Sequence, residues 1–309
     1  MKRIIFFLAG LVLAGCIPSV DIPRATPVDK IAEIQARGTL VIATDPDYTP
    51  QSRLIVNSER QADSQCKPTQ YAANQFEGFD VDVAKEVARQ LGVEACFVTP
   101  PWSQLVAGSW GDNWDIHVGS VAITYDRMQN LYFSRPYYAT PTVLLVHEEN
   151  TSYKSPEDLS GKRIGICAGC TFEAYLNGTL EIPGEKIEYR IKNAQATAYA
   201  SEDPSIQALS LGDGVELDAI MTILPKARAA IQSGAPVKIL DGPVLFTYAS
   251  LTLDRASERD QQRLLTEINR ILDDMHATGK LKELSLYYQG VDLTHEAALY
   301  DISSLEQFP

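Results

Sequence analysis

The sequence is poor in basic residues. Lys and Arg together number 27 against 40 Asp and Glu, which gives a formal net charge of −13 at pH 7. Nucleic-acid binding depends on clustered cations that neutralise phosphates, and a chain with so large an acidic excess does not supply them. The shortage of positive charge therefore excludes nucleic acid from the expected partners.

Long hydrophobic runs are scarce too, and the clearest one comes first. Residues 4–13 are apolar, follow Lys2 and Arg3, and lead into the sequence LAGC, which ends at Cys16. A membrane-spanning helix needs about 20 apolar residues, so a transmembrane anchor is disfavoured. A basic start, a short apolar run and a small-residue cleavage site are typical of a secretory signal. We predict a lipoprotein signal peptide over residues 1–15, a lipid on Cys16, and an extracytoplasmic protein anchored to a bacterial membrane, in the periplasm or at the cell surface.

Cysteine and histidine, which supply most zinc ligands, number only 5 and 4. Cys167 and Cys170 form a CAGC motif, which has the spacing of a redox pair or of half a zinc site. No second CxxC accompanies it, and the histidines are scattered through the chain, at His117, His147, His276 and His295. We therefore expect no metal and no cofactor, and we expect Cys167 and Cys170 to form a local disulfide or to remain free thiols.

The other two cysteines lie in a polar insert and in an apolar strand. Cys66 belongs to the polar insert, residues 51–74, and Cys96 to the strand-like sequence VEACFV. An exported protein meets oxidising conditions, in which disulfides form and persist. We predict a disulfide between Cys66 and Cys96, which would pin the insert to the sheet.

The remaining composition is ordinary. Hydrophobic residues make up 45% and charged residues 22% of the 309-residue chain, as in soluble globular proteins. This length suits about two domains. Residues 16–30 are rich in Pro and lack periodicity, so we predict a tether there.

One stretch carries a candidate binding group. Residues 118–123 read as a buried strand, Thr124 suits a helix N-cap, and a short helical turn then carries Asp126 and Arg127. Ligands of open α/β sheets bind at the carboxyl ends of strands, and an Arg fork matches a carboxylate. The pattern favours an anion clamp at Arg127; a surface Arg in a helix first turn is the alternative.

Five motifs occur in an order that resembles a known family. The sequences are TDPDY, EGFDVDVAKEVARQLG, SVAITYDR, YFSRPYY and LSGKRIGICAGCT, beginning at residues 44, 77, 120, 132 and 159. Over residues 40–290 the chain resembles the family 3 extracellular solute-binding proteins, the amino-acid receptors of ABC importers. The resemblance implies a monomeric receptor that closes on a small carboxylate-bearing solute and is recognised by a membrane permease.

The resemblance also implies an α/β fold of the type II periplasmic binding protein kind, with two lobes and a ligand cleft between them. Two extended runs, residues 141–146 and 249–253, are interpreted as the hinge strands. Lobe 1 is then discontinuous, over residues 31–143 and 249–309, and lobe 2 is inserted over residues 144–248.

The family pattern assigns the solute site residue by residue. The resemblance implies that Arg127, the amide of Ala122 and Thr171 hold the ligand carboxylate, and that Tyr48 and Trp102 enclose the rest of the ligand. The full predicted set is Asp45, Tyr48, Trp102, Ser120, Ala122, Arg127, Cys170 and Thr171. Three of these have ordinary alternatives: Asp45 as a turn cap, Trp102 as loop packing, and Thr171 as a helix N-cap.

The chain departs from the family at one site position. The family's carboxylate for an α-ammonium group falls on Ile223, which cannot pair with a cation. Either the ligand lacks an α-amine, or another acid takes over, for which Asp45, Glu173 and Asp241 are candidates.

Two further assignments concern neighbouring segments. Asp80 is predicted as the N-cap of a helix over residues 78–92, and the two tryptophans of WGDNWD, Trp110 and Trp114, are expected to pack at the rim or in a lid of the site.

Two other functions stay open from the sequence. The scaffold also resembles periplasmic cyclohexadienyl dehydratases, an activity that needs an acid or base in the cleft, and Glu173 is the candidate. An accessory or sensory protein that uses the same fold for protein contacts is the third class. A non-catalytic receptor is the leading hypothesis.

Overall fold

The computed structural model of the protein describes residues 28–305, so the predicted signal peptide, Cys16 and most of the predicted tether lie outside the described residues. The strands are β1 Thr39–Ala43, β2 Asp47–Tyr48, β3 Ser52–Leu54, β4 Tyr71–Ala72, β5 Phe76–Glu77, β6 Glu94–Val98, β7 Ile116–Ala122, β8 Leu131–His147, β9 Arg163–Cys167, β10 Gln195–Tyr199, β11 Ala219–Ile223 and β12 Val237–Asp254. The α-helices are α1 Lys30–Arg37, α2 Phe79–Leu91, α3 Trp102–Ala107, α4 Tyr125–Met128, α5 Thr171–Leu176, α6 Glu202–Leu209, α7 Leu224–Gln232, α8 Gln262–Ala277, α9 Lys280–Gln289 and α10 His295–Leu299. Three short 3₁₀ helices are Ala73–Gln75, Pro156–Leu159 and Ile302–Leu305.

One nine-stranded sheet runs through the molecule in the order β10-β9-β11-β8-β12-β7-β1-β6-β4. At one end β1 pairs in parallel with β6 and β7, and at the other end β9 pairs in parallel with β10 and β11. We call these two groups the first and the second half-sheet. The long strands β8 and β12 pair with each other antiparallel and join the halves. A small sheet, β2-β3-β5, lies apart.

Each half-sheet has a core of its own. Buried side chains of α2, α8 and α9 pack on the first half-sheet, and those of α5 pack on the second. The buried apolar face of α2 follows the helical period and includes Val83, Ala84, Val87, Ala88 and Leu91. None of the helices within residues 28–305 has the length and apolar character needed to cross a bilayer.

The start of α2 corrects one prediction. Gly78, not Asp80, is the N-cap residue, with φ +131°. A Cβ atom there would lie 2.3 Å from the carbonyl oxygen of Gln51, so only glycine fits. Asp80 instead lies in the first turn of α2 with its carboxylate fully buried.

Trp110 and Trp114 lie in a core, which corrects their expected place at the rim or in a lid. They are 1% and 5% exposed, and their rings lie 5.3 Å apart. The loop is fixed because the carboxylate of Asp254 accepts the backbone N–H groups of Ser109 and Trp110, at 2.9 and 2.6 Å. A polar, glycine-containing loop is thereby folded back over an apolar cluster.

Asp115, next to these tryptophans, anchors the first helix to the first half-sheet. Its carboxylate accepts from Lys30 Nζ at 3.0 Å, from the backbone N–H of Val41 at 2.8 Å, and from Arg37 Nη2. The side chains of Lys30 and Asp115 are each only 2% exposed. Three donors from α1 and β1 thus meet on one buried carboxylate.

The described cysteines form two disulfides. Cys66 and Cys96 are joined with a Cα–Cα distance of 5.4 Å and a sequence separation of 30. Closing a loop of that length stabilises the fold by about 3–4 kcal/mol in the chain-entropy account. Cys167 and Cys170 are also joined, so the thiol alternative for CAGC does not hold in this structure.

Candidate functional site

A cavity of about 90 Å³ opens where the strands of both half-sheets end. Six parallel strands, β1, β6 and β7 from one half-sheet and β9, β10 and β11 from the other, lead into it. The carboxyl ends of parallel strands are where open α/β sheets bind ligands, since backbone N–H groups and following helix termini point there. The volume suits a small solute.

All eight predicted solute-binding residues line this cavity. They are Asp45, Tyr48, Trp102, Ser120, Ala122, Arg127, Cys170 and Thr171. The rest of the lining is Gly119, Thr140, Cys167, Ala168, Phe172, Ala200, Ser201, Glu202, Ile223 and Thr247. The sequence therefore identified side chains that the fold brings together from both half-sheets.

Arg127 is a buried cation without a carboxylate. Thr124 caps α4 as predicted, accepting the Arg127 N–H at 3.2 Å, and this turn aims the guanidinium into the cavity. Nη1 donates to the carbonyl of Ala122 and Nη2 to that of Gly169, each at 3.1 Å. Within residues 28–305 no acidic side chain pairs with it. Burial lowers the pKa of Arg127 to about 10, so it stays charged at neutral pH.

Trp102 forms the wall beside this cation. The Arg127 Cζ lies 5.4 Å from the Trp102 ring centroid, a cation–π distance. Behind the indole lies His117, edge-on at 5.9 Å and fully buried. Burial lowers the pKa of His117 to about 3, so the imidazole is neutral and adds no positive charge.

Ser120 is held by a buried polar network. Its φ is +56°, unusual for a residue other than glycine. Its hydroxyl donates to Asp80 at 2.7 Å and accepts from Tyr138 at 2.6 Å, while its N–H donates to the hydroxyl of Tyr137 at 3.0 Å. Burial raises the pKa of Asp80 to about 7, partly offset by bonds from Ser120 and Tyr137. The network fixes the cavity wall on the first half-sheet.

The CAGC segment forms the facing wall. Cys170 is the N-cap residue of α5 and Thr171 is its first residue, so the alternative N-cap role of Thr171 is wrong. The intervening Gly169, with φ +73°, turns its carbonyl to Arg127. The disulfide between Cys167 and Cys170 closes the turn and leaves the Thr171 side chain at the cavity.

Asp45 and Tyr48 form a third side of the cavity. Asp45 accepts the N–H of Asp47 at 2.8 Å, so the turn-cap alternative describes a real contact, and it lines the cavity as well. Burial raises the pKa of Asp45. The ring of Tyr48 lies 5.9 Å from Lys226 Nζ.

Ile223 lines the cavity directly with a buried apolar side chain. Of the three candidate replacements, only Asp45 lines the cavity. Glu173 is exposed on α5, and Asp241 lies 3.7 Å from Arg190, away from the lining. Neither Glu173 nor Asp241 therefore contributes to the lining of this cavity.

Glu202 is an acid in the cavity that the sequence did not reveal. It is the first residue of α6, three residues after the end of β10, and it is 5% exposed. Burial raises its pKa to about 7, an effect that Lys226 and Thr222 partly offset. The local sequence signal is Ser201, a residue type typical of helix N-caps, which is the N-cap of α6 and indicates where that helix begins.

Among residues 28–305, one group brings three possible metal ligands together, namely Cys66, Glu94 and Cys96. Because the two cysteines are bonded to each other, their sulfurs are not available as thiolates.

Comparisons with known proteins agree with this arrangement. The family model described as bacterial extracellular solute-binding proteins, family 3, matches residues 40–291. The L-cystine-binding protein TcyJ of Escherichia coli strain K12 is 23% identical, covering 93% of this chain and 96% of its own. The histidine-binding periplasmic protein of the same strain is 29% identical, covering 82% and 88%.

A solved structure shares the fold. The ancestral amino acid-binding protein AncCDT-1, a precursor of cyclohexadienyl dehydratase, aligns with a TM-score of 0.66 and 25% identity, over 84% of this chain and all of that one. The predicted two-lobed, type II periplasmic-binding-protein fold is thereby confirmed. The chain belongs to the bacterial extracellular solute-binding proteins, family 3.

Proposed function

We propose that this protein is the extracytoplasmic receptor of an ABC importer, and that it binds an amino acid or a similar carboxylate-bearing solute between its half-sheets. The permease in the membrane is its partner, and the receptor acts as a monomer. The proposed lobes are residues 31–143 with 249–309 and residues 144–248, which β8 and β12 connect as hinge strands.

One observation carries this proposal. Arg127 is a charged, buried guanidinium with no carboxylate partner among residues 28–305, and it lines a cavity of solute size. A guanidinium has five N–H donors, of which carbonyl oxygens take two. A buried cation is costly unless it is paired, so a ligand carboxylate is the group that suits this end of the cavity.

The test is a binding screen. Purified protein is titrated calorimetrically with the twenty common L-amino acids, L-ornithine and L-cystine, each beside the matching acid that lacks the α-amine. We expect at least one carboxylate to bind and to raise the unfolding temperature, because ligand binding stabilises the native state. Failure of every compound to bind would contradict the receptor assignment.

Turnover decides the enzyme alternative. Glu173, its candidate acid or base, is exposed and does not line the cavity, which disfavours it. The relatives TcyJ and the histidine-binding protein are named for binding. Mass spectrometry of each compound after incubation is expected to return it unchanged; a dehydrated product would replace the receptor function with catalysis.

The proposed location is a bacterial membrane surface, through a lipid on Cys16. This residue follows the apolar run and the LAG sequence. Each buried CH₂ of an acyl chain contributes about 0.8 kcal/mol, so two chains give stable anchoring. Cells fed a fatty-acid analogue should label the wild type and release an unlabelled Cys16→Ala protein from the membrane. Full labelling of Cys16→Ala would disprove the site.

A further inference from the structure

Glu202 is a buried acid in the cavity, and one of its two carboxyl oxygens has no hydrogen-bond partner in the described part of the chain, although the hydroxyl of Thr222 is near enough to lower its pKa. Its Oε2 has no partner among residues 28–305. Its Oε1 lies 4.0 Å from Cys167 Sγ, but that sulfur is in a disulfide and carries no proton to donate. Glu202 therefore lines the cavity with acceptor capacity to spare on Oε2, although its side chain is only 5% exposed.

The neighbouring cation belongs to another acid. Lys226, on α7, has its Nζ 2.7 Å from the carboxylate of Asp203, the residue next to Glu202 on α6. No cation within residues 28–305 comes within 4.0 Å of the Glu202 carboxylate. Lys226 also lies outside the lining of the cavity. Its field lowers the pKa of Glu202 but does not give this carboxylate a bonded partner.

An unpaired cation and an acid with a free oxygen thus line one cavity. Arg127 reaches it from the first half-sheet and Glu202 from the second. Each is costly to bury alone, and a ligand carrying one anionic and one cationic group compensates both. Burial, helped by the charges of Asp203 and Asp45, raises the pKa of Glu202 to about 7, and a bound ammonium would favour its ionised form.

Glu202 lies at a strand end close to the one that Ile223 occupies. Strands β10 and β11 flank β9 on either side, so their ends neighbour each other across the end of β9. Ile223 ends β11, and the Glu202 carboxylate reaches the last residue of β9, Cys167. An acid is thus absent from the end of β11 and present two strands away, after β10.

We propose that Glu202 binds the α-ammonium group of the ligand, so that the ligand is an amino acid with a free α-amine rather than an amine-free carboxylic acid. This assignment rests on the proposed function, in which Arg127 holds the carboxylate of the same molecule. Asp45, which already accepts the N–H of Asp47, then faces the ligand side chain.

The test compares the strongest amino-acid ligand of the screen with its matching acid that lacks the α-amine. We expect the wild type to prefer the amino acid, and Glu202→Gln to bind it roughly 30-fold more weakly, as when one partner of a buried charge pair is removed. Binding of the amine-free acid should change little, since it never contacts Glu202. Adding Ile223→Asp to Glu202→Gln should restore most of the preference, which a purely structural role for Glu202 does not predict.

The matched control is Glu173→Gln, the same substitution at an exposed position on α5 that does not line the cavity. It should leave both affinities unchanged. The assignment is overturned if Glu202→Gln weakens both ligands equally or neither, or if the wild type prefers the amine-free acid. In those outcomes binding that depends on Arg127 persists, so the proposed function survives. If the wild type binds neither the amino acids nor the amine-free acids, both the proposed function and this assignment are wrong.

Discussion

Replacing Arg127 with alanine is expected to weaken binding of the amino-acid ligand by about 30-fold to several thousand-fold, equivalent to roughly 2–5 kcal/mol. The ligand carboxylate would then be buried without a cation, because among residues 28–305 no other lysine or arginine lines this cavity. Calorimetric titration of wild type and Arg127→Ala with the same amino acid measures the change.

Arg127→Lys separates charge from geometry. A lysine keeps the positive charge but cannot form the forked pair of bonds, so its affinity should fall between those of the wild type and Arg127→Ala. Arg228→Ala is the matched control, because Arg228 is exposed on α7 and does not line the cavity. If Arg127→Ala binds a carboxylate ligand as tightly as the wild type, the clamp does not exist.

Asp115→Ala is expected to destabilise the protein by about 3–5 kcal/mol, as breaking a buried ion pair does. The substitution would remove the carboxylate that lies 3.0 Å from the ammonium group of Lys30, which is only 2% exposed. Lys30 would keep only the more exposed carboxylate of Asp112, at 3.4 Å. The substitution would also remove the acceptor for the backbone N–H of Val41 in β1. Thermal and urea unfolding, followed by circular dichroism, measure the loss.

Asp112→Ala provides the comparison for this experiment. Asp112 contacts the same lysine, but its side chain is 28% exposed, so removing it should cost less than about 1 kcal/mol. Asp115→Asn keeps an acceptor oxygen and should fall between the two. Equal effects of Asp112→Ala and Asp115→Ala would show that the buried position of Asp115 does not set its contribution.

Arg127 could be predicted from the sequence because everything that places it is local. An apolar strand, a Thr124 cap and one helical turn follow each other within ten residues, and this turn fixes where the guanidinium points. Gly92, in the left-handed conformation, likewise ends α2 where the apolar period stops. The order of such short units was enough to recognise the fold.

Glu202 could not be predicted in the same way. The strand before it, β10, lies at the edge of the sheet, and four of its five residues are exposed. An edge strand of this kind shows no apolar alternation, so nothing in the sequence places its end in the site. The prediction for the tryptophans of WGDNWD was wrong for a related reason, since Asp254, whose carboxylate holds that loop, is distant in the sequence.

The six strand ends that meet at the cavity also bear on how specificity changes between related proteins. Each end delivers its side chain from a separate strand, and the sheet holds all of them whatever the side chains are. Two substitutions, one that removes a charged residue from one strand end and one that adds it to another, can therefore keep the charge that a ligand needs without any rearrangement of the backbone. Two receptors of this fold can then recognise the same chemical group with residues that never align, and a missing residue in an alignment does not by itself indicate a different ligand.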